Sequence, residues 1–381
     1  MAFCWAVPLR AAPNLPEFAV YLWGVPGVVD LDERAAALAG AGMTVVDWEP
    51  DQLEVLARHG LKAMIRKGLG EAPPGLGASP TVWGYHLADE PYPESEFPAL
   101  AERIETLRQE APGGFGFVNM LSTTGPFLRE FMRVVRPDLL SFDYYQWWWG
   151  GDRYFEKLEQ FREQAQLAGI PLGSCIEVSA NPGVERGDTT YLPDNARKLR
   201  QSLYTNLAYG VKVVEWFSSD LLFETGSTRL TQSGRDVASL NRELKRLGPH
   251  LVGLRSLDVF HTPPLSLGTR AAPREHWVQL IGEPSRDGLV LGMFEDGEGS
   301  DYAMVVNRDY QMSQSVTVRL QSKWLGIAPW HKRKDYRYAI EKLNKQTAEW
   351  DLISSTSYVG FTIVLGAGDG ELFRIKTRVV D

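Results

Sequence analysis

Carboxylates and tryptophans follow most of the short apolar runs in the first two thirds of this 381-residue sequence. Glu90 and Glu177 each close such a run, and aromatic side chains stand near both. A protonated carboxyl can give its proton to a leaving oxygen while a second carboxylate attacks carbon or activates water. Because tryptophan rings can stack on the apolar face of a sugar, two carboxylates in such surroundings predict hydrolysis of a glycosidic bond. Glu215 and Glu49 also close apolar runs and stay open as rivals to Glu177.

Further polar and aromatic side chains at the ends of these runs are candidates to contact the substrate. They are Trp23, Arg66, His86, Asp89, Asn119, Tyr144, Tyr145, Trp147 and Trp216. Each tryptophan has core packing as its alternative, and His86 has the alternative of a hydrogen-bonded core histidine. We expect Asp47 and Asp143 to be structural partners of basic groups such as Arg66.

The composition argues against several other classes of protein. The 40 Lys and Arg against 48 Asp and Glu give a net charge of −8, which disfavours a nucleic-acid partner. No apolar run reaches the ~18 residues of a membrane span, so no membrane partner is expected. The sequence has two cysteines and no zinc-ligand spacing, so we expect no metal and no cofactor. The N-terminus is a weak signal-peptide candidate, and both the compartment and the oligomeric state stay open.

The spacing of the apolar runs predicts the fold that must hold these residues. Eight runs, rich in β-branched and aromatic residues, are typical of buried parallel strands. They span residues 18–24, 43–48, 61–66, 82–87, 116–120, 139–144, 170–178 and 211–217. Amphipathic segments lie between most of them. The pattern predicts a (β/α)₈ barrel over residues 1–250, with its active site at the carboxyl ends of the strands.

After residue 250 the pattern changes to short strands separated by turn residues. The expected strands span residues 258–262, 277–281, 289–294, 302–307, 315–320, 360–365 and 371–375. This arrangement predicts an all-β sandwich domain over residues 251–381, for which a scaffold role is favoured.

The segment Gly84-Tyr-His-Leu-Ala-Asp-Glu-Pro91 resembles the Asn-Glu-Pro ending of strand 4 in clan A of the glycoside hydrolases. The resemblance covers residues 15–245 and implies a retaining (β/α)₈ enzyme with Glu90 as general acid/base. It implies Glu177, at the end of strand 7, as the nucleophile. The sequence departs from the clan at Asp89, where an amide donor is usual and an ionised carboxylate can only accept.

The same resemblance assigns supporting roles to aromatic residues. Trp216 matches a tryptophan common at the end of strand 8, and Tyr144 or Tyr145 matches an aromatic hydroxyl supplied near the nucleophile. The segment that begins at Arg255 resembles the start of β-sandwich modules appended to such barrels.

These observations predict a glycosidase that cleaves β-linked glucosides, galactosides or β-glucan oligosaccharides with retention. The partner is then an oligosaccharide or polysaccharide substrate. The alternative from another class is a non-catalytic carbohydrate-binding protein on the same barrel. A metal-dependent enzyme is a third hypothesis, disfavoured because few histidines stand at strand ends.

Overall fold

Eight parallel strands close into a barrel in chain order, the last pairing with the first. The computed structural model describes residues 15, 17–66, 79–111, 114–121, 123–283, 287–321, 335–356 and 360–380. The barrel strands are β1 (Ala19–Leu22), β2 (Val45–Asp47), β3 (Lys62–Ile65), β4 (Val82–Asp89), β5 (Phe115–Leu121), β6 (Ser141–Asp143), β7 (Leu172–Glu177) and β8 (Val211–Phe217). The prediction of a (β/α)₈ barrel is therefore confirmed.

Helices cover the outside of the barrel. They are α1 (Leu31–Gly40), α2 (Leu53–Arg58), α3 (Phe97–Glu110), α4 (Gly125–Val135), α5 (Gln146–Trp149), α6 (Tyr154–Ala168), α7 (Asn195–Ala208), α8 (Ser219–Leu222) and α9 (Gln232–Leu251). Asp30 caps α1 by accepting the Glu33 N–H at 2.8 Å, which satisfies one free donor of the first turn. In the part of the chain that the structure describes, no helix has the length and apolarity to cross a bilayer. The weak signal-peptide candidate and most of the third connection lie outside the described residues.

Strand alternation divides the apolar residues of the barrel into an inner and an outer core. On β1, Tyr21 faces the interior, whereas Val20 and Leu22 pack outward beneath the helices. On β8, Val213 faces inward and Val214 outward. Successive side chains of a strand point to opposite faces, so a polar residue two positions along from an inward apolar one also faces the interior.

The C-terminal strands form two antiparallel sheets, which confirms the predicted sandwich. A three-stranded sheet has the order β10-β13-β16 and a six-stranded sheet has the order β15-β14-β17-β12-β11-β9. Their ranges are β9 (Arg255–His261), β10 (Val278–Ile281), β11 (Leu289–Glu295), β12 (Asp301–Asn307), β13 (Gln314–Leu320), β14 (Asp335–Leu343), β15 (Trp350–Thr356), β16 (Phe361–Leu365) and β17 (Gly370–Val380). Sequence analysis missed β14 and β15.

An ion-pair network joins the barrel to the sandwich. Arg200 on α7 pairs with Glu243 on α9 at 2.5 Å and with Asp369, just before β17, at 2.9 Å. Lys345, after β14, also contacts the Asp369 carboxylate at 2.8 Å. Tyr204 donates its hydroxyl to Glu243 at 2.6 Å. These contacts fix two barrel helices against the six-stranded sheet.

Candidate active site

Four carboxyl groups gather at the carboxyl end of the barrel. Asp89 ends β4, Glu90 follows it, Asp143 ends β6, and Glu215 lies near the end of β8. Asp89 and Glu90 are exposed, whereas Asp143 and Glu215 are buried. The negative charge of Asp89 acts on both buried groups, so the four form one electrostatic cluster.

Glu90 lies close enough to Asp143 for its charge to act on the buried carboxyl, whose Oδ1 atom has no hydrogen-bond partner. Glu90 has a φ of 48°, in the left-handed region that a non-glycine residue adopts at a cost. Its backbone N–H donates to the Asn119 carbonyl at 2.8 Å, which holds this turn against β5. The strained backbone lies at the residue that presents its carboxyl group to Asp143.

The proximity of Glu90 to Asp143 disfavours ionisation of both groups, because two like charges close together repel each other. Burial, followed by the negative charges of Glu90 and Asp89, raises the pKa of Asp143 to about 8. Asp143 therefore keeps its proton at neutral pH. A buried acid facing an exposed carboxylate is the arrangement that proton donation with nucleophilic attack requires.

Glu177 occupies a different environment from Glu90. Its side chain is 1% exposed, and its carboxylate accepts the Trp147 backbone N–H at 2.6 Å. Burial raises the pKa of Glu177 to about 7, and the Trp147 hydrogen bond opposes that rise. Among the interactions of the described residues, none joins Glu177 to Glu90. The structure therefore brings Glu90 to Asp143, which the sequence analysis had treated as a structural partner of basic groups.

Asn119 and His86 lie beside the exposed end of β4. Asn119 is buried and donates its side-chain amide to Asp89 at 3.0 Å, while its Oδ1 atom is buried without a partner. His86 contacts the Ala88 carbonyl through Nε2 at 3.0 Å. Burial and the charge of Arg66 lower the pKa of His86, so it is neutral at pH 7. Both predicted substrate contacts thus lie next to Asp89.

Arg66 and Trp23 form the side of the barrel mouth beyond His86. The Arg66 guanidinium pairs with Asp47 at 2.8 Å and lies 4.7 Å from the centre of the Trp23 ring. The Trp23 ring contacts the His86 ring edge-to-face at 5.0 Å. Asp47 is the partner of Arg66, as the sequence predicts. Arg66 is still half exposed at the mouth.

Glu215 lies inside the barrel below this layer. Its carboxyl accepts from the Ser141 hydroxyl and from Trp23 Nε1, the latter at 3.5 Å. Burial raises the pKa of Glu215 to about 8 against the opposing effect of both hydrogen bonds. Glu215 is 0% exposed, so it supports Trp23 from below and has no access to solvent.

The structure does not bring Trp216 into the barrel mouth. Trp216 is fully buried in the outer core, and its Nε1 donates to Asn241 Oδ1 on α9 at 2.9 Å. Neighbouring residues of a strand face opposite sides, and on β8 it is Glu215 that faces inward. The expectation of a sugar platform at Trp216 is corrected to a packing role between barrel and helix.

The aromatic residues after β6 separate into two groups. Tyr145 is buried in the inner core, where its ring stacks on Phe217 at 5.4 Å. Trp148 packs on Tyr145 with ring centroids 4.8 Å apart. Trp147 instead turns outward and donates from Nε1 to Ser202 on α7 at 2.9 Å. Trp147 therefore lies against the helix layer, away from the barrel mouth.

Tyr144 is the last of the residues that the sequence predicts to contact the substrate. Its hydroxyl donates to the Gly150 carbonyl at 3.3 Å, and its ring meets the edge of Trp149 at 5.6 Å. These contacts keep Tyr144 in the loop that follows β6, beside its own neighbours in sequence. Within the described ranges, no group of three His, Cys, Asp or Glu side chains is arranged to hold a metal ion.

No protein-family model matches the sequence, and no curated protein matches it. A solved structure with which the chain aligns is a β-L-arabinopyranosidase from Geobacillus stearothermophilus, at 12% identity over 98% of this chain and 100% of that chain, with a TM-score of 0.47. An endo-β-1,4-mannanase from Thermotoga petrophila aligns at 11% identity over 77% of this chain and 95% of that chain, with a TM-score of 0.42.

A trimodular endoglucanase aligns at 9% identity over 96% of this chain and 99% of that chain, with a TM-score of 0.43. Identities and TM-scores at this level carry no argument about function. The functional conclusion therefore rests on the chemistry of the barrel mouth itself, where the buried Asp143 carboxyl lies close to Glu90.

Proposed function

We propose that this chain is a glycoside hydrolase that acts by double displacement, with Asp143 as the general acid and Glu90 as the nucleophile. The observation that carries the proposal is the proximity of a buried carboxyl, Asp143, whose pKa is raised, to an exposed carboxyl, Glu90, at the mouth of a barrel. In the first step the Glu90 carboxylate attacks the anomeric carbon. The bond from that carbon to the leaving oxygen breaks, and the oxygen takes the Asp143 proton.

In the second step the ionised Asp143 removes a proton from water, and the water oxygen attacks the anomeric carbon to release Glu90. An inverting pair stands about 6.5–9.5 Å apart to hold a water, whereas a retaining pair stands about 5–5.5 Å apart. The interaction between Glu90 and Asp143 places their carboxyl groups nearer the shorter of these two separations, which favours retention.

The pair expected from the sequence, Glu90 with Glu177, is the second assignment. The deep burial of Glu177 and its hydrogen bond to the Trp147 backbone are consistent with a structural role at the end of β7. The proposed substrates are the β-linked glucosides, galactosides and β-glucan oligosaccharides that the resemblance implies.

A panel of p-nitrophenyl β-glycosides and β-glucan oligosaccharides, analysed by chromatography, tests the proposed function. We expect the purified protein to release product from at least one of them, and proton NMR of the first product to show the starting anomer. The Glu90→Gln variant is the matched control for a contaminating hydrolase. Oligosaccharide binding by calorimetry with no hydrolysis in the panel would instead favour a carbohydrate-binding protein.

The raised pKa of Asp143 predicts an alkaline limit to activity. A general acid works only while it is protonated. We therefore expect kcat/KM to be high below the Asp143 pKa of about 8 and to fall as the pH rises through that value. Because the two carboxyl groups interact, the apparent pKa of this alkaline limb belongs to the pair and not to Asp143 alone. A pH profile from 5 to 10 measures it, and Asp143→Asn should remove the limb on an activated substrate. An unchanged alkaline limb in that variant would contradict Asp143 as the acid.

A further inference from the structure

A second cavity opens on the same end of the barrel as the carboxyl cluster. Its volume is about 280 Å³, and it lies where β1, β2 and β3 end. Its lining residues are Gly24, Val25, Arg34, Asp47, Trp48, Glu49, Gln52 and Arg66. None of the residues assigned to proton transfer or nucleophilic attack lines it, so the mechanism leaves this cavity unexplained.

Arg34, in the first turn of α1, contributes an unsatisfied donor to the cavity. One end of its guanidinium donates to the Val28 carbonyl, while its Nε atom is buried and has no hydrogen-bond partner. The guanidinium lies 5.8 Å from the centre of the Trp48 ring. A buried N–H without an acceptor is rare because it costs the full desolvation of the group. An acceptor oxygen brought by a ligand would satisfy it.

Arg66 joins this cavity to the carboxyl cluster. It lines the cavity with Asp47, whose carboxylate also accepts from Tyr21 at 2.6 Å and from the Gly24 N–H at 2.7 Å. The other side of the Arg66 guanidinium rests on Trp23. Since β3 pairs with β4, which carries Glu90 at its end, the cavity lies next to the catalytic pair.

The charges that line the cavity favour a neutral polar ligand over an anion. Arg34 and Arg66 supply two positive charges, and Asp47 and Glu49 supply two negative ones. Guanidinium, carboxylate and amide side chains beside an indole offer donors and acceptors to hydroxyl groups and an apolar surface to a ring. This is the chemistry of a sugar residue.

We propose that this cavity binds the sugar residue next to the one that is cleaved, on the side away from the leaving group. The inference rests on the proposed function, because Asp143 on β6 marks the leaving-group side and the cavity lies across β4 from it. The preferred substrate then carries at least two linked sugar units on the retained side of the scissile bond.

Two substrates with the same leaving group test the subsite: p-nitrophenyl β-glucoside and p-nitrophenyl β-cellobioside. If the panel selects another sugar, its mono- and disaccharide take their place. We expect wild type to have the higher kcat/KM on the disaccharide substrate. In the Arg34→Met variant, kcat/KM for the disaccharide substrate should fall about tenfold, which is the contribution of one charged hydrogen bond. Its kcat/KM for the monosaccharide substrate should be unchanged.

Arg58→Met is the matched control, because Arg58 is an exposed arginine that pairs with Asp32 at 2.9 Å outside the cavity. It should leave both substrates unaffected. An equal loss on both substrates in Arg34→Met, or no loss on either, would overturn the subsite while leaving the proposed function intact.

Failure of the proposed function has a different signature. If wild type cleaves neither substrate, calorimetric titration with cellotetraose tests the cavity without turnover. Weaker binding by Arg34→Met than by wild type and Arg58→Met would support the subsite. Equal binding by all three proteins, or no binding by wild type, would overturn it.

Discussion

Asp143→Asn should slow hydrolysis of a glycoside with a poor leaving group by about 10²–10⁴-fold, the usual contribution of a positioned general acid. The same variant should change kcat/KM for a 2,4-dinitrophenyl glycoside little, because kcat/KM reports the first step and that leaving group departs without a proton. Its kcat should still fall, because the second step loses its general base. Glu90→Gln removes the attacking carboxylate and should slow both substrates, on the order of 10⁴–10⁶-fold. Steady-state kcat/KM on the two substrates, with each variant, measures the difference.

Glu177→Gln is the matched control for this pair of variants. It keeps the shape of a buried side chain that accepts the Trp147 N–H at 2.6 Å, so we expect a much smaller loss than in Glu90→Gln. A Glu177→Gln protein that is folded yet as inactive as Glu90→Gln, beside an active Asp143→Asn, would instead establish the pair predicted from the sequence.

Trp216→Ala should lower the free energy of unfolding by about 3–5 kcal/mol, as expected when a large buried aromatic side chain is removed. Trp216 is 0% exposed, and its loss also leaves the buried Oδ1 of Asn241 without its donor. Urea unfolding at constant pH measures the change. For the fraction that remains folded, KM for the best substrate should match that of wild type, because Trp216 lies outside the barrel mouth.

Trp149 supplies the comparison for Trp216→Ala, since its side chain is 40% exposed. Trp149→Ala should destabilise the fold less than Trp216→Ala does. A Trp216→Ala variant with wild-type stability and a raised KM would mean that the indole contacts sugar after all.

The fold was predictable from sequence because it depends on periodicity, whereas the direction of individual side chains was not. The β8 segment Val-Lys-Val-Val-Glu-Trp-Phe has apolar residues on both faces, so its pattern does not say which face points inward. A Trp216 side chain in the barrel mouth would require its neighbour Glu215 to face outward. In the structure Glu215 faces inward and Trp216 faces outward. Val213, in register with the inward Ala19, is the signal that would have set the face correctly.

The proximity of Glu90 and Asp143 could not be predicted from the sequence pattern, for a different reason. Asp143 ends a strand of three residues, and Glu90 follows β4 with a left-handed backbone conformation that periodicity does not predict. Strand spacing places both groups at one end of the barrel but says nothing about which two carboxyls meet. The interpretation of Asp143 as a structural partner of a basic group fails because Arg66, the partner expected from the sequence, pairs with Asp47 instead.

The missed strand β14 has a physical explanation as well. Its sequence carries Arg337, Glu341 and Lys342 among its apolar residues, which weakens the alternation that marks a strand. In the folded sheet Glu341 pairs with Arg374 at 2.7 Å on β17. Cross-strand charge pairs are visible only once the two strands are known to be neighbours.

The carboxylate of Asp369 links the stability of the barrel to that of the sandwich. It balances Arg200 from the barrel and Lys345 from the sandwich, and burial of the whole group makes an unmatched charge strongly destabilising. If the sandwich unfolded, Arg200 would lose Asp369 and would keep only Glu243 as its partner. We therefore expect the two halves to stabilise each other, with the sandwich acting as a brace for the catalytic half.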